Sequence, residues 1–593
     1  MTQPVAANPS TPPGQSAGTA SPPSSPQATR GEPRSAQPSA DGHRGQPNPQ
    51  PTADNAGRAG AGAGETFRSI LFADRAAPAG LGDVPQPDCF SDLNLDQIVA
   101  SVIAAKEPYR LLGYFHTPLD DLDTLTYRQE VFQDLEQELI NEVIARFAGG
   151  MNTMRARTTR ATKSHYHYQK QRWFLDATRA YCDSVKTFAA DLGQTHPRSR
   201  GLRDVSSYLT RYLGSAAFTT VRDEASGVAE GLDAIRYDVW VRRSKVTVGA
   251  FDEEPDYSAD VTRTFERFRQ RDIQVRPPEG NGRRKAFDRS ATSGDSEQFM
   301  DHVEAQILDQ VAKVFPDRFA ALDAFCQAHA NYLDRTIEVF DREVQFYVAY
   351  LDFIAPLRRA GLNLGYPRMS ADDKAENARE TFDLALAAQL LRDAGPDKNP
   401  LVCNDIHLEG SERILVVSGP NNGGKTTMAR TVGQLHYLAK LGCPVPGRDV
   451  RLYLVDSIYT HFEKEEDITT LAGKLQEELN RTRADFGQAT PHSLMIMNEM
   501  FSSTTVQDAL FLSKEILGRL SDLGALGVCV TFLDELATLN EKTVSLVSTV
   551  DPNDLARRTF KVIRTRADGK AYAQALAAKY GLSYEMLKGR VSS

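Results

Sequence analysis

Residues Arg413 to Thr427 read RILVVSGPNNGGKTT, and this stretch decides the fold of the C-terminal third of the chain. Arg413–Ser418 is a short apolar run of the kind that forms a strand covered on both faces. It leads directly into Gly419–Thr427, GPNNGGKTT, which satisfies the pattern G-x-x-x-x-G-K-[ST]. Helix-forming residues follow, from Met428 to Leu441. Each residue type has a physical reason. Gly419, Gly423 and Gly424 let the backbone turn its N–H groups toward phosphate oxygens, with Pro420, Asn421, Asn422 and Thr427 completing the loop. Lys425 reaches the terminal phosphates, and the Thr426 hydroxyl can ligate Mg²⁺ at the helix N-terminus. The reading is an α/β domain that binds a nucleotide with Mg²⁺.

A second apolar run, Leu494–Met497, ends in Asn498-Glu499. Nucleotide hydrolases need acids at such a strand end, one to orient the metal shell and one to activate water. Here the first acid is an amide. Asn498 accepts hydrogen bonds but brings no charge, so Mg²⁺ is expected to be held less firmly than by aspartate. Glu499 is the candidate general base, to be weighed against an ordinary glutamate after a strand; Lys425 is its catalytic partner. Hydrolysis is expected to be slow.

Working outward, residues 91 to 230 carry apolar side chains at helical spacing, through Ile98, Val102, Leu111 and Leu112 and again through Leu119, Leu122, Leu125 and Phe132. Between Ile235 and Val248 the rhythm changes to two, with Tyr237, Val239 and Val241 alternating with Asp238, Trp240 and Arg242, which predicts strands. The charged, Gly- and Pro-rich stretch after it predicts a mobile loop. A helical stripe then runs from Phe319 through Phe340 and Tyr347 to Ile354, bounded by Pro316 and Pro356. It predicts one rod of roughly 55–60 Å at 1.5 Å per residue, able to couple distant sites or simply to line a core. The first 65 residues hold 12 of the 31 prolines and no Phe, Tyr or Trp, so they are expected to form a disordered tail.

The domain reading is therefore a tail over 1–65, a helical core over 66–230, a β-containing insertion over 231–300, lever helices over 301–398 and the nucleotide domain over 399–593. Lys+Arg number 69 against 78 Asp+Glu, a net charge of −9, which excludes a uniformly basic nucleic-acid coat. Any contact with a polyanion must come from local basic patches. The six cysteines form no CxxC pair, which argues against a zinc ribbon and a disulfide scaffold. No apolar run reaches the ~18 residues of a membrane span, and no signal pattern opens the chain, so a cytoplasmic, nucleoid-associated protein is expected.

Several blocks, in order, resemble the MutS family of DNA mismatch-repair ATPases. GPNNGGKTT is similar to that family's GPNMGGKST, and VCNDIHL (402–408) to its FVPNDI-x-L lead-in. LAKLGCPVP (438–446), DSIYTHF (456–462) and ATPHSLMIMNE (489–499) resemble LAQIGCFVP, DRIFTRI and ATPRSLVLLDE. FHTPLDDLDTLTYRQEVFQDL (115–135) resembles the core segment, GYPR (365–368) the NYVRP, and GKAYAQALAAKYGLSYEML (569–587) the C-terminal G-x-SYGI block. The resemblance implies a mixed architecture: a helical core and lever, a small β-containing clamp inserted in the lever, and a C-terminal P-loop ATPase of ABC type that homodimerises with composite sites. It implies double-stranded DNA as a partner, and makes Arg236, Arg242, Arg243 and Lys245, with Arg283, Arg284 and Lys285, clamp residues on backbone phosphate. The alternative for these cations is a solvated charged face. The run from Arg155 to Trp173 is a second basic and aromatic candidate.

The pattern also departs from the family. About 45 folded residues precede the core segment, too few for the usual recognition domain with its Phe-x-Glu wedge, so mismatch specificity is not implied. Phe251-Asp252-Glu253 matches the wedge's letters but falls in the presumed clamp. Gly473-Lys474-Leu475 stands where the family's STF would offer a serine to the partner's γ-phosphate, so Lys474 is the candidate trans contact. The family's Thr-His pair becomes Thr531-Phe532, no histidine follows His492, and the aromatic expected near Leu401 to stack on adenine is missing. A different class of function also fits these losses: a scaffold clipped by nucleotide, with little turnover. Transporter and cohesion ATPases fit less well, since no LSGGQ-like stretch precedes Asn498.

Overall fold

The computed structural model describes residues 67–73, 84–242, 245–251, 302–394, 401–463 and 473–567. The expected tail, the loop after Phe251 and the block at 569–587 lie outside them. The described fold is mixed helix and sheet.

Helices at Leu122–Leu135, Glu138–Lys163, His167–Thr195, Arg200–Leu213 and Ala216–Asp233 form the N-terminal layer. Their starts are set locally. Asp121 accepts the N–H groups of Asp123 and Thr124, Ser199 caps Arg200–Leu213 by accepting the Leu202 N–H, and Ser215 caps Ala216–Asp233 by accepting the Phe218 N–H. The two longest helices of this layer pack side by side, burying Phe147 against Phe188 at 4.3 Å between ring centroids. Fully buried Arg128 joins three parts of the molecule: its Nε donates to Leu71 O at 2.9 Å and its Nη1 to Leu441 O at 3.0 Å. Near it, buried Glu343 accepts from Ser69 Oγ at 2.8 Å and from the Ile70 N–H at 2.9 Å. Burial nevertheless pushes its carboxyl up to about 7.

The predicted single rod is instead two helices, Pro316–Ala328 and Arg335–Arg359. The break is fixed by distant hydroxyls and a local cap. Asp334 caps the second helix by accepting the Ile337 N–H at 3.0 Å, its carboxylate also accepts Tyr208 OH at 2.7 Å, and its own N–H donates to Tyr181 OH at 3.2 Å. The second helix is about 37 Å long at 1.5 Å per residue, and Pro356 lies inside it rather than ending it. The predicted strand rhythm is realised as an antiparallel ribbon of Tyr237–Arg242 and Lys245–Ala250. Trp240 lies across Gly249, where an added Cβ would come within 2.6 Å of the indole. Tyr237, Val239, Trp240 and Val246 remain exposed.

A six-stranded sheet carries the C-terminal part. Its order is Ile458–His461, Leu494–Asn498, Leu526–Val530, Ile414–Ser418, Thr543–Asp551, Asp554–Arg564, parallel except for the last pair. Ile414–Ser418 is buried throughout, as its apolar run requires. A second sheet of four strands combines Arg368–Ser370 and Glu376–Thr381 with Asn404–Leu408 and Arg448–Tyr453. One apolar core runs from Phe67 through the helical layer to Val562, so the two halves share an interior.

Candidate functional site

The loop after Ile414–Ser418 is shaped by backbone no side chain would permit. Gly419 has φ +115° and Gly424 has φ +93°, left-handed values that favour glycine. A Cβ on Gly423 would lie 2.1 Å from Ser548 Oγ and 2.9 Å from Pro420 O. Gly424 caps the helix Lys425–Lys440, whose first N–H groups face the loop. A phosphate is the group such a cradle suits.

Two later residues hydrogen-bond the loop and a third lies beside it. Ser548 Oγ donates to Gly423 O at 2.6 Å, and Arg558 Nε donates to Asn421 O at 3.0 Å. Phe560, at φ +58° and half exposed, accepts the Asn404 amide at 3.2 Å, and its carbonyl lies 3.7 Å from where a Gly424 Cβ would be. No sequence motif marks any of the three. Phe560 is an exposed aromatic residue whose backbone lies beside the loop, whereas Leu401 is aliphatic.

Lys425 is buried, its side chain only 4% exposed. Its Nζ donates to Gly419 O at 3.1 Å and Pro420 O at 3.3 Å, with Asn421 Oδ1 at 3.4 Å. Glu499 Oε1 is 3.9 Å away and the Phe532 ring centroid 4.2 Å. Burial lowers the ammonium's pKa, opposed by the Glu499 carboxylate. Thr426 Oγ1 donates to Asn498 Oδ1 at 2.9 Å, which brings the two candidate metal oxygens together. Thr427 belongs to the first helical turn and its carbonyl accepts Thr431 Oγ1 at 2.8 Å.

Glu499 continues the strand by one bond, N–H to Val530 O at 2.9 Å, and then turns to φ +54°. For a glutamate that conformation costs about 1–2 kcal/mol and aims the carboxylate off the sheet edge toward Lys425. Burial raises its pKa; Lys425 lowers it and Glu463 raises it further. Lys474 begins the helix Lys474–Gln488 and is ion-paired with Glu463 of its own chain. Glu499, Lys425, Thr426 and Asn498 thus converge at one end of the sheet, as the strand readings implied, with Phe532 between the strands that carry them.

Residues 415–583 match the family model for MutS domain V. The chain is 32% identical over 147 residues to a DNA mismatch repair protein MutS of Chloroflexus aurantiacus, covering 24% of this chain and 15% of that protein. It is 32% identical over 193 residues to an Endonuclease MutS2 of Thermus thermophilus, 32% of this chain and 25% of that one. A MutS of Shouchella clausii is 30% identical over 184 residues, 30% and 21% of the two chains. Over residues 415–583 the chain is similar to domain V of the MutS family. The matches span between 15% and 25% of these relatives' lengths.

The glycine loop is tied down by more hydrogen bonds than the described candidate DNA residues are. Arg236 is exposed at the base of the ribbon, and Arg242 pairs with Lys245 across it. Arg243, Arg283, Arg284 and Lys285 lie outside the described residues. In the Arg155–Trp173 run, Arg155 pairs with Asp341, Arg157 donates to Asp176 O at 2.8 Å, and Arg172 bonds Asp176 and Asp233. Arg160 lies 5.0 Å from the Trp173 ring centroid. These four arginines are engaged within the helical layer. Among the described residues, no helix is long and apolar enough to cross a membrane.

Proposed function

We propose that this is an ATP-dependent DNA-binding protein of the MutS type, which hydrolyses ATP slowly to switch a DNA clamp in mismatch repair or related processing of DNA structure. The observation that carries it is the convergence of Lys425, Thr426, Asn498 and Glu499 on a glycine cradle suited to phosphate. In this reading the loop N–H groups and Lys425 hold the phosphates, and Glu499 takes a proton from the attacking water. Thr426 Oγ1 and Asn498 Oδ1 are the oxygen donors for Mg²⁺, a hard cation that takes such ligands. Mg²⁺ supplies neutralisation of phosphate charge. Two chains form a homodimer, and Lys474 exchanges Glu463 for the terminal phosphate bound to its partner. The ribbon contacts backbone phosphate of double-stranded DNA through Arg236, Arg242, Arg243 and Lys245, with Arg283, Arg284 and Lys285. The protein works in the cytoplasm, at the nucleoid.

The test is nucleotide and DNA binding by the full chain and its variants at stated salt. Lys425→Ala is expected to abolish ATP binding, and equal affinity in the two proteins would refute the assignment. Asn498 and Phe532 favour a second reading, a scaffold clipped by nucleotide. Steady-state turnover no greater in the wild type than in Glu499→Gln, with and without DNA, would select it.

A further inference from the structure

The side chain lying over the Lys425 ammonium is a phenylalanine. Phe532 follows the strand Leu526–Val530, which is flanked on one side by the strand ending in Asn498 and on the other by the strand leading into the loop. Its position is fixed from the backbone: the Thr531 N–H donates to Val417 O at 3.0 Å, and the Leu533 N–H to Thr531 Oγ1 at 3.0 Å. Phe532 is 52% exposed, an unusual degree for a phenylalanine beside a buried cation. Its centroid is 4.2 Å from Lys425 Nζ, within the range of a cation–π contact.

An ammonium has three N–H groups. Two of them meet Gly419 O and Pro420 O, and Asn421 Oδ1 stands farther off at 3.4 Å. Glu499 Oε1 at 3.9 Å and the Phe532 ring centroid at 4.2 Å are near the same ammonium. A terminal phosphate destined for water activated by Glu499 must approach the ammonium near Glu499, where the ring holds the same cation. The inner phosphates are met by the loop's own N–H groups and leave the ring in place.

We propose that Phe532 is a specificity-determining residue, whose ring competes with the terminal phosphate for Lys425 and so lowers the preference of the site for triphosphate over diphosphate. The inference rests on the reading of the loop as a nucleotide site and adds the residue that grades its ligands. Because the contact is electrostatic, any side chain without a ring should release it, while another aromatic should retain it.

The experiment measures displacement of a fluorescent ADP analogue from the full chain, with Mg²⁺, by ADP and by a β,γ-imido triphosphate that is not turned over. Phe532→Ala and Phe532→Leu are each expected to bind the triphosphate on the order of 2- to 30-fold more tightly, the range a ring–ammonium contact is worth, with ADP shifted by less than about 2-fold. Phe532→Trp should keep the wild-type ratio of the two affinities. Equal shifts for both nucleotides, no shift for either, or a wild-type ratio in Phe532→Leu would overturn the role of Phe532 while leaving the site assignment standing. Absence of nucleotide binding in the wild type, matching Lys425→Ala, would instead overturn the site and this inference together.

Discussion

The phosphate loop and the β-ribbon are both candidate anion sites, and they are built in opposite ways. The loop is hydrogen-bonded by Ser548 and Arg558, and its cation is buried against its own carbonyls. The ribbon is two strands with both faces partly open and its first basic residue, Arg236, in solvent. A fixed, desolvated cation binds one small anion strongly because little order is lost on binding. Exposed cations are screened and act additively along a polyanion. The comparison teaches that single substitutions should be decisive in the loop and modest on the ribbon.

The largest effect should come from Lys425→Ala, which removes the buried cation and should abolish ATP binding in calorimetry, a loss of at least about 10²- to 10³-fold. An effect no larger than that of Arg236→Ala on DNA would break the comparison. Next, Glu499→Gln should preserve nucleotide affinity and lower turnover by about 10²-fold or more, as loss of a general base does. The same residue gives a sign for pH. Its carboxyl titrates above the ordinary glutamate value because it is buried, and only its ionised form can accept a proton. Turnover of the wild type should therefore fall, as pH is lowered, sooner than an unperturbed glutamate would dictate. A rate that stays flat down to pH 4.5 would remove Glu499 from the role.

Smaller still, Ser548→Ala deletes one hydrogen bond to Gly423 O and should cost about 0.5–1.5 kcal/mol, a 2- to 10-fold loss of nucleotide affinity. The substitution that enlarges the effect is Gly423→Ala, whose methyl would collide with Ser548 Oγ and with the Pro420 carbonyl. The smallest change is expected for Arg236→Ala. DNA affinity should fall a few-fold on every sequence alike, and the slope of log affinity against log salt should flatten by about one. A sequence-dependent loss would instead make Arg236 a reader of bases.

The loop was legible because its constraints are local. Nine consecutive residues carry the glycines, the lysine and the hydroxyl, and the strand before them is apolar without interruption. Asn498-Glu499 was legible for the same reason, as the end of a second buried run. The stripe from Phe319 to Ile354 does not reveal its break, because the break is made by Tyr181 and Tyr208, more than a hundred residues earlier, whose hydroxyls reward a cap at Asp334 over a continued helix. The arginines of 155–172 have the composition of a nucleic-acid patch, and only their partners Asp341, Asp176 and Asp233 reveal that they bind the helical layer together.

Sequence alone determined the strand–loop–helix at 413–441, the acid at 499, the alternating ribbon at 237–250 and the departures at Asn498 and Phe532, since each depends on spacing within a few residues. Tertiary structure decided what surrounds them. Ser548, Arg558 and Phe560 reach the loop because an edge hairpin of the sheet folds beside it, and Phe532 meets Lys425 because three parallel strands end side by side. Contacts between residues a hundred positions apart leave no periodic trace in a chain. Only the packing of the strands brings such residues within reach of one another.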